Sequence, residues 1–137
     1  MKKAYPVIFT QVEDAVLIEV PDLEILTEGK DVTDAIEMAR DAIGLNGISR
    51  EDRKERIPDA SLITDIDIEK GAFVKEGKSF ISFVDVDFGV YRRKFDNKTV
   101  RTNVTLPNWL KQEADKAEIN VSKVLQEALM TKLGVYR

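Results

Sequence analysis

The 137-residue chain contains neither cysteine nor histidine. Without these side chains it cannot form disulfides, a thiolate nucleophile, a Ser-His-Asp triad or the usual nitrogen- and sulfur-ligated zinc site. Any catalysis would depend on lysine or on carboxylates with a hard metal ion. A nonenzymatic role is therefore favoured, and we expect no cofactor.

Long apolar runs are missing as well, since none approaches the roughly 20 residues that span a bilayer. The basic N-terminus is interrupted by Glu13 and Asp14 before a signal-peptide core can form. We therefore expect no membrane partner, and the cytoplasm is the expected location.

Charge is unevenly distributed along the chain. Residues 1–90 carry 11 Lys and Arg against 20 Asp and Glu, a net charge of −9, whereas residues 91–137 carry 10 against 5, a net charge of +5. Basic surface favours a polyanion such as nucleic acid, and acidic surface favours a basic protein. Unless the asymmetry is a chance distribution of solvated side chains, it predicts two modules with different partners.

Hydrophobic patterning predicts an α+β body in the first part of the chain. Two β-rich runs, "YPVIFTQ" and "AVLIEVP", are separated by a short polar turn and predict a hairpin, which an extended segment follows to Gly29. Apolar residues then recur with helical spacing after Asp31, a suitable N-cap, and we expect Gly44 or Gly47 to end this helix. A strand over residues 80–86 completes a β-β-β-α-β order.

The last forty residues change from strand to helix periodicity. Residues 100–106 alternate, with Arg101, Asn103 and Thr105 on one face, which predicts a strand whose other face is buried. Pro107 suits the first turn of a helix, because its missing N–H would be unpaired there.

Two helices are predicted after this strand, over about residues 107–118 and 123–133. Between them, Asn120 can adopt a left-handed turn conformation at low cost, and Ser122 is a suitable N-cap for the second helix. Each helix carries an apolar stripe that it cannot bury alone.

A single strand leaves its backbone donors and acceptors unpaired. It must join the N-terminal sheet or pair with its own copy in a second chain. A twofold dimer would form a two-stranded antiparallel ribbon over four helices, and such a ribbon fits the major groove of B-DNA. The predicted dimer core comprises Val104, Leu106, Leu110, Val124 and Leu125.

In that groove, Arg101 suits guanine and Asn103 suits adenine, each through two hydrogen bonds, with Thr105 beside them. The backbone amides around Ser122 and Lys123 would face a phosphate. Alternatively, the polar face of residues 101–105 is only the solvated side of an edge strand.

The same segment resembles the ribbon-helix-helix family of DNA-binding proteins. The resemblance covers roughly residues 99–133 and depends on the alternating strand, the Leu-Pro pair before the first helix, and a serine with a basic residue at the start of the second. The family usually has glycine in the turn where this chain has Asn120. The resemblance implies a dimeric β-α-α module that binds operator DNA.

The upstream sequence resembles the HicB antitoxin family. It contains "PDL" after a strand, a helix with regularly spaced alanines, a late "VDVD" strand and "YRRK" at residues 91–94, although Glu-Ile-Leu stands at residues 24–26 where many members have Pro-Gly-Cys. The resemblance implies a degenerate ribonuclease-H-like body that neutralises HicA, a small basic mRNA-cleaving toxin, and a tail that represses the antitoxin's own operon. A body of charge −9 suits a basic partner.

We therefore expect a toxin-binding body over residues 1–90, a polar linker over 91–98 and a ribbon-helix-helix domain over 99–137. The expected partners are a HicA-type toxin, operator DNA and a second copy of the chain. The operator sequence, the toxin-contact residues, assembly into tetramers and the effect of toxin on DNA binding are left open.

Two other classes of function are also considered. One is a ligand-responsive ribbon-helix-helix transcription factor without a toxin partner. The other is a carboxylate-metal nuclease, because two-metal sites use clusters of acids on or near strands. It is disfavoured, since alternating acids also occur on any half-exposed strand. The acids concerned are Asp14, Glu19, Asp22, Asp85 and Asp87.

Overall fold

The computed structural model describes residues 1–96 and 98–135. Its internal contacts divide the chain into two compact units, Met1–Lys98 and Thr99–Arg137, which we call the N-terminal and C-terminal units. Among the described residues, no helix combines the length and apolarity needed to cross a membrane.

The N-terminal unit is built on a four-stranded antiparallel sheet. β1 (Lys2–Gln11) lies between β2 (Val16–Val20) and β4 (Lys78–Asp87), and β3 (Ile25–Gly29) pairs with the other side of β2. The α+β class and the hairpin of the first two strands are thus confirmed. The last strand of the sheet is longer than the predicted 80–86, because all ten of its residues pair with β1.

One face of the sheet packs against α1 (Val32–Asp52), which joins β3 to β4. The side chain of Asp31 accepts a hydrogen bond from the N–H of Asp34 at 2.8 Å, so Asp31 is the N-cap that the sequence predicts. Small residues on α1 bring the helix close to the sheet. The core between the two layers includes Tyr5, Val7, Phe9, Ile18, Val20, Ala35, Ala39, Ile43, Val84 and Val86.

The prediction that Gly44 or Gly47 ends this helix is wrong. The helix continues for 21 residues, past both glycines. A Cβ on Gly44 would lie 2.5 Å from the ring of Tyr91, and one on Gly47 would lie 2.1 Å from the ring of Phe88. The two glycines therefore allow α2 (Phe88–Phe95) to approach α1 closely.

This second helix also corrects the predicted linker, because residues 91–95 are helical and belong to the N-terminal unit. The carboxylate of Asp87 caps the helix by accepting two N–H groups of its first turn. Tyr91 is buried, and its ring stacks on that of Phe95 with centroids 5.7 Å apart. The sequence signal for this helix is an Asp N-cap followed by aromatic residues spaced four apart.

The C-terminal unit contains α3 (Asn108–Lys116) and α4 (Val121–Leu133), close to the two predicted helices. Residues 99–106 lie outside any helix or strand. The strand predicted over 100–106 is therefore not formed within the single chain, as expected for a strand that needs a backbone partner.

The turn between α3 and α4 differs from the prediction in two details. Glu118, directly after the C-cap of α3, is the left-handed residue, with φ 55°, whereas Asn120 has φ −78°. Asn120, and not Ser122, is the N-cap of α4, because its side chain accepts the N–H of Lys123 at 3.1 Å. The turn therefore needs no glycine. The exposed Glu118 adopts the left-handed conformation, and the side chain of Asn120 accepts a backbone N–H group at the start of α4.

Candidate nucleic-acid interface

The residues predicted to contact DNA occur in two stretches of the C-terminal unit. Arg101, Asn103 and Thr105 are exposed on the segment that precedes α3, and Ser122 and Lys123 are exposed in the first turn of α4. In the described part of this unit their side chains are not covered, so they remain accessible to a ligand. Their assignment to DNA stays a prediction.

The N-cap of α4 limits which group of Lys123 could contact a phosphate. The N–H of Lys123 already donates to Asn120 within the cap, so that amide is not available to a phosphate oxygen. The side chain of Lys123 is exposed. A phosphate contact by this residue would therefore use its ammonium group.

The C-terminal unit exposes the apolar residues predicted to form a dimer core. Val104 and Val124 are each 50% exposed, Leu106 is 38% exposed and Leu110 is 39% exposed, while Leu125 is half-buried. Within the described residues of α3 and α4, none is buried. Since burial stabilises by about 25 cal/mol per Å² of apolar surface, this unit gains little from such burial as a single chain.

The positive charge of residues 91–137 is divided between the two units. Residues 92–98 carry four Lys and Arg against one Asp, a net charge of +3, and they belong to the N-terminal unit. The C-terminal unit, residues 99–137, carries six against four, a net charge of +2. Three of the five units of net positive charge of residues 91–137 thus lie outside the predicted DNA-binding domain.

One of these cationic side chains, Arg92, forms ion pairs with carboxylates of the same unit. The guanidinium of Arg92 forms ion pairs with Glu51 at 2.8 Å, Asp52 at 2.8 Å and Asp96 at 3.4 Å. Hydrogen bonds to Glu51 and Asp52 raise the pKa of Arg92 above its ordinary value. Arg92 therefore joins α2 to the last turn of α1.

The acidic residues of β4, which are candidates for metal binding on sequence grounds, have structural partners. Asp85 pairs with Arg40 at 3.0 Å, and this hydrogen bond lowers the pKa of the Asp85 carboxyl group. Asp87 caps α2, and the N–H groups of Val90 and Gly89 lower the pKa of its carboxyl group. Both carboxylates thus stabilise the junction between the sheet and its helices.

The other three acidic residues considered as metal ligands are Asp14, Glu19 and Asp22, and they are not grouped. Asp22 accepts hydrogen bonds from the N–H and the hydroxyl of Ser61, and Glu19 accepts the N–H of Ala72. Asp14 lines a groove of about 530 Å³ beside the β1–β2 turn. Across residues 1–96 and 98–135, no three acidic side chains are grouped in a way that could hold a metal ion.

Neither a protein-family model nor a curated protein sequence matches the chain. The fold is similar to two solved structures. One, a toxin–antitoxin complex from Streptococcus pneumoniae, matches with a TM-score of 0.60 and 22% identity over 96% of this chain and 99% of that chain. The other, the antitoxin HicB of Burkholderia pseudomallei, matches with a TM-score of 0.50 and 20% identity over 96% and 97% of the two chains. At these identities the likeness is one of fold.

Proposed function

We propose that this protein is a nonenzymatic antitoxin of the HicB type. Its N-terminal unit binds and neutralises a HicA-type mRNA-cleaving toxin. Its C-terminal unit forms a ribbon-helix-helix dimer that binds operator DNA and represses the antitoxin's own operon.

The likeness of fold carries this proposal. It extends over 96% of the chain in both comparisons and therefore includes residues of both units. Two of the similar structures are a toxin–antitoxin complex and the antitoxin HicB. The β-β-β-α-β order also agrees with the degenerate ribonuclease-H-like body that the motif resemblance implies.

The exposed apolar surface of the C-terminal unit supports the dimer. Residues 99–106 have no strand partner within the chain, and the flanking side chains of α3 and α4 are not buried. A second copy would satisfy both needs, because two such segments pair as antiparallel strands while the helices bury their apolar stripes. The polar face with Arg101 and Asn103 would then point away from the helices and into a DNA groove.

Co-expression tests the toxin half of this proposal. The proposal requires that a short basic protein is encoded beside this chain and arrests growth when expressed alone, and this chain should restore growth when both are expressed. A copy of this chain with an early stop codon is the matched control. If the neighbouring protein is harmless to cells, the proposed neutralisation is wrong.

A further inference from the structure

The outer edge of β4 carries backbone groups that no strand of the described chain uses, since β4 is the last strand of the sheet and pairs only with β1. Along an antiparallel strand, successive residues direct their N–H and C=O groups alternately to one side and to the other. The N–H of Phe88 donates to the C=O of Met1 at 3.0 Å, and the register of β1 with β4 continues that pair. The even-numbered residues of β4 therefore bond to β1, and the odd-numbered residues direct their backbone groups outward.

Ser79, Ile81 and Phe83 form the accessible part of this edge, which we call the open edge. The next odd-numbered residue, Asp85, is closed, because the side chain of Arg40 donates to its C=O at 2.9 Å. That contact also agrees with the assigned alternation, since the carbonyl of Asp85 must face away from β1 to meet Arg40. A partner strand can therefore pair alongside residues 79–83, where each of the three residues offers one N–H and one C=O.

The open edge lacks the features that usually protect an edge strand. Such strands are protected by charged side chains, proline or bulges, whereas residues 79–84, Ser-Phe-Ile-Ser-Phe-Val, contain no charged residue and no proline. All ten residues of β4 pair with β1 in one unbroken register. Phe80, stacked on the core residue Phe9, is 37% exposed on the α1 side of the sheet, and Phe83 is 55% exposed on the opposite side. An added strand would cover both rings.

The charge of the N-terminal unit indicates which kind of chain pairs with the open edge. Residues 1–90 have a net charge of −9. Two copies of this unit therefore repel one another as their edges approach, whereas a basic protein is attracted. In strand addition, backbone hydrogen bonds supply affinity and the flanking side chains supply specificity. A basic protein with an extended segment that carries apolar side chains fits both requirements.

We infer that the open edge is the docking site of the toxin, and that a strand of this basic protein adds to the sheet alongside residues 79–83. The inference depends on the proposed function, because it names the surface through which the N-terminal unit binds its toxin. The open N–H and C=O groups bond to the backbone of the toxin, and Phe80 and Phe83 pack against its side chains. All of these residues belong to the N-terminal unit.

Phe83→Pro tests the docking site. The N–H of Phe83 points outward, so proline removes a donor that has no strand partner among the described residues, and an edge strand tolerates proline at such a position. Binding of the short basic protein used in the co-expression test should weaken at least about tenfold, because a backbone hydrogen bond is lost and the proline ring occupies space beside the added strand. Titration of the purified full-length chain with that protein measures the affinity, and growth rescue should be reduced in parallel.

Leu26→Pro is the matched control on the opposite edge of the sheet. Leu26 lies on β3 and is 58% exposed, close to the value for Phe83. The N–H of Val12 donates to the C=O of Ala15, and the alternation that starts from this pair directs the backbone groups of Leu26 away from β2. Leu26→Pro should therefore leave toxin affinity and growth rescue unchanged, and both proline variants should melt near the wild-type temperature.

Residue-resolved hydrogen exchange gives a second measurement that needs no variant. On toxin binding, the amides of Ser79, Ile81 and Phe83 should exchange more slowly, because they gain acceptors from the added strand. The amides of Phe80 and Ser82 bond to β1 in both states and should change little. This measurement also decides the question if Phe83→Pro fails to fold.

The outcomes separate this inference from the proposed function. If the wild type binds the toxin but the three outward amides exchange as before, or if a folded Phe83→Pro binds like Leu26→Pro, the docking site is refuted and the antitoxin role stands. If these amides are already slow in the free protein and become faster on dilution, a second copy occupies the open edge and the inference is refuted. If the wild type binds no toxin, both are refuted.

Discussion

Arg92 and Arg101 are nine residues apart and have opposite surroundings. Three carboxylates surround the guanidinium of Arg92, whereas Arg101 is exposed on a segment without regular structure. A buried or paired guanidinium stabilises the fold, while an exposed one can present its fork of donors to a ligand. These surroundings therefore predict different roles for the two arginines.

Replacing Arg101 tests the base contact. Arg101→Ala should weaken operator binding by about 1–3 kcal/mol and relax the preference at one base position, because a bidentate pair with guanine is removed. Arg101→Lys keeps the charge but not the fork, so it should retain most nonspecific affinity and still lose the base preference. Binding titrations against a set of single-base operator variants measure both effects, and equal profiles for wild type and Arg101→Ala would refute the ribbon assignment.

Tyr91 gives the fold a pH dependence in the alkaline range. Its hydroxyl donates to Asp41, and burial together with that carboxylate raises the pKa of Tyr91 to about 12. An unfolded tyrosine ionises near pH 10. The folded state holds the proton more tightly, so this contribution is complete below about pH 10 and is lost as the pH rises towards 12.

Urea unfolding at a series of pH values measures this effect. Between about pH 10 and 12, the free energy of unfolding should fall more steeply in the wild type than in Tyr91→Phe, which has no phenol to ionise. Near neutral pH, Tyr91→Phe should cost about 1 kcal/mol, because the hydrogen bond to Asp41 is removed. Parallel curves over the alkaline range would show that the phenol of Tyr91 does not contribute.

Among the elements, α1 and α2 are joined by close packing at two glycines. An Ala in place of Gly at an exposed helix position stabilises by about 1 kcal/mol. Gly47 is the opposite case, since its added Cβ would lie 2.1 Å from the Phe88 ring. Gly47→Ala should therefore destabilise the protein by about 1–3 kcal/mol.

Denaturant titration checks the sign of this change. Glu37→Ala, at an exposed position of the same helix, is the control and should change stability by less than about 0.5 kcal/mol. A stabilising effect of Gly47→Ala would show that α2 does not pack against α1 as described.

The segment before α3 is predicted to form a strand only when two chains dimerise. Val104→Asp puts a charge on the predicted inner face, where a dimer would bury it, and an unpaired buried charge is costly. Asn103→Asp adds the same charge to the predicted outer face. Val104→Asp should therefore abolish both dimer and DNA binding, whereas Asn103→Asp should leave the dimer intact and weaken DNA binding only.

Sedimentation measures the dimer, and gel-shift titration measures DNA binding. The melting of the N-terminal unit serves as an internal check that each variant is folded. A dimer that survives Val104→Asp would contradict the two-stranded ribbon.

At the scale of the whole molecule, the division into two units predicts that toxin neutralisation and repression can be lost separately. The acidic N-terminal unit has its own buried core, whereas none of the described residues in α3 and α4 is buried. Val104→Asp should consequently leave toxin neutralisation in co-expressing cells at least partly intact, because the N-terminal core does not include this residue. Repression of a reporter by the same variant should be lost.

Growth rescue and reporter output, measured in the same strain, check this separation. Asn103→Asp again serves as control, with rescue retained and repression reduced. Loss of rescue by Val104→Asp would mean that neutralisation requires the dimer, which would contradict the assignment of toxin binding to the N-terminal unit alone.

The sequence by itself determined the local elements of this protein. Alternation of apolar residues determined the β1–β2 hairpin and the position of β4, and Asp31 determined where α1 begins. Helical spacing determined α3 and α4. These features depend on residues near one another in the chain, and periodicity and capping act at that range.

Only the tertiary structure decided the features that depend on distant residues. Gly44 and Gly47 admit aromatic rings that lie about forty positions later or more, so α1 continues where a local pattern indicates a stop. Residues 91–95 form a helix because Tyr91 is buried against α1 and Arg92 meets the carboxylates at its end. Close packing and ion pairing join groups that sequence spacing does not reveal, and for that reason α2 belongs to the N-terminal unit.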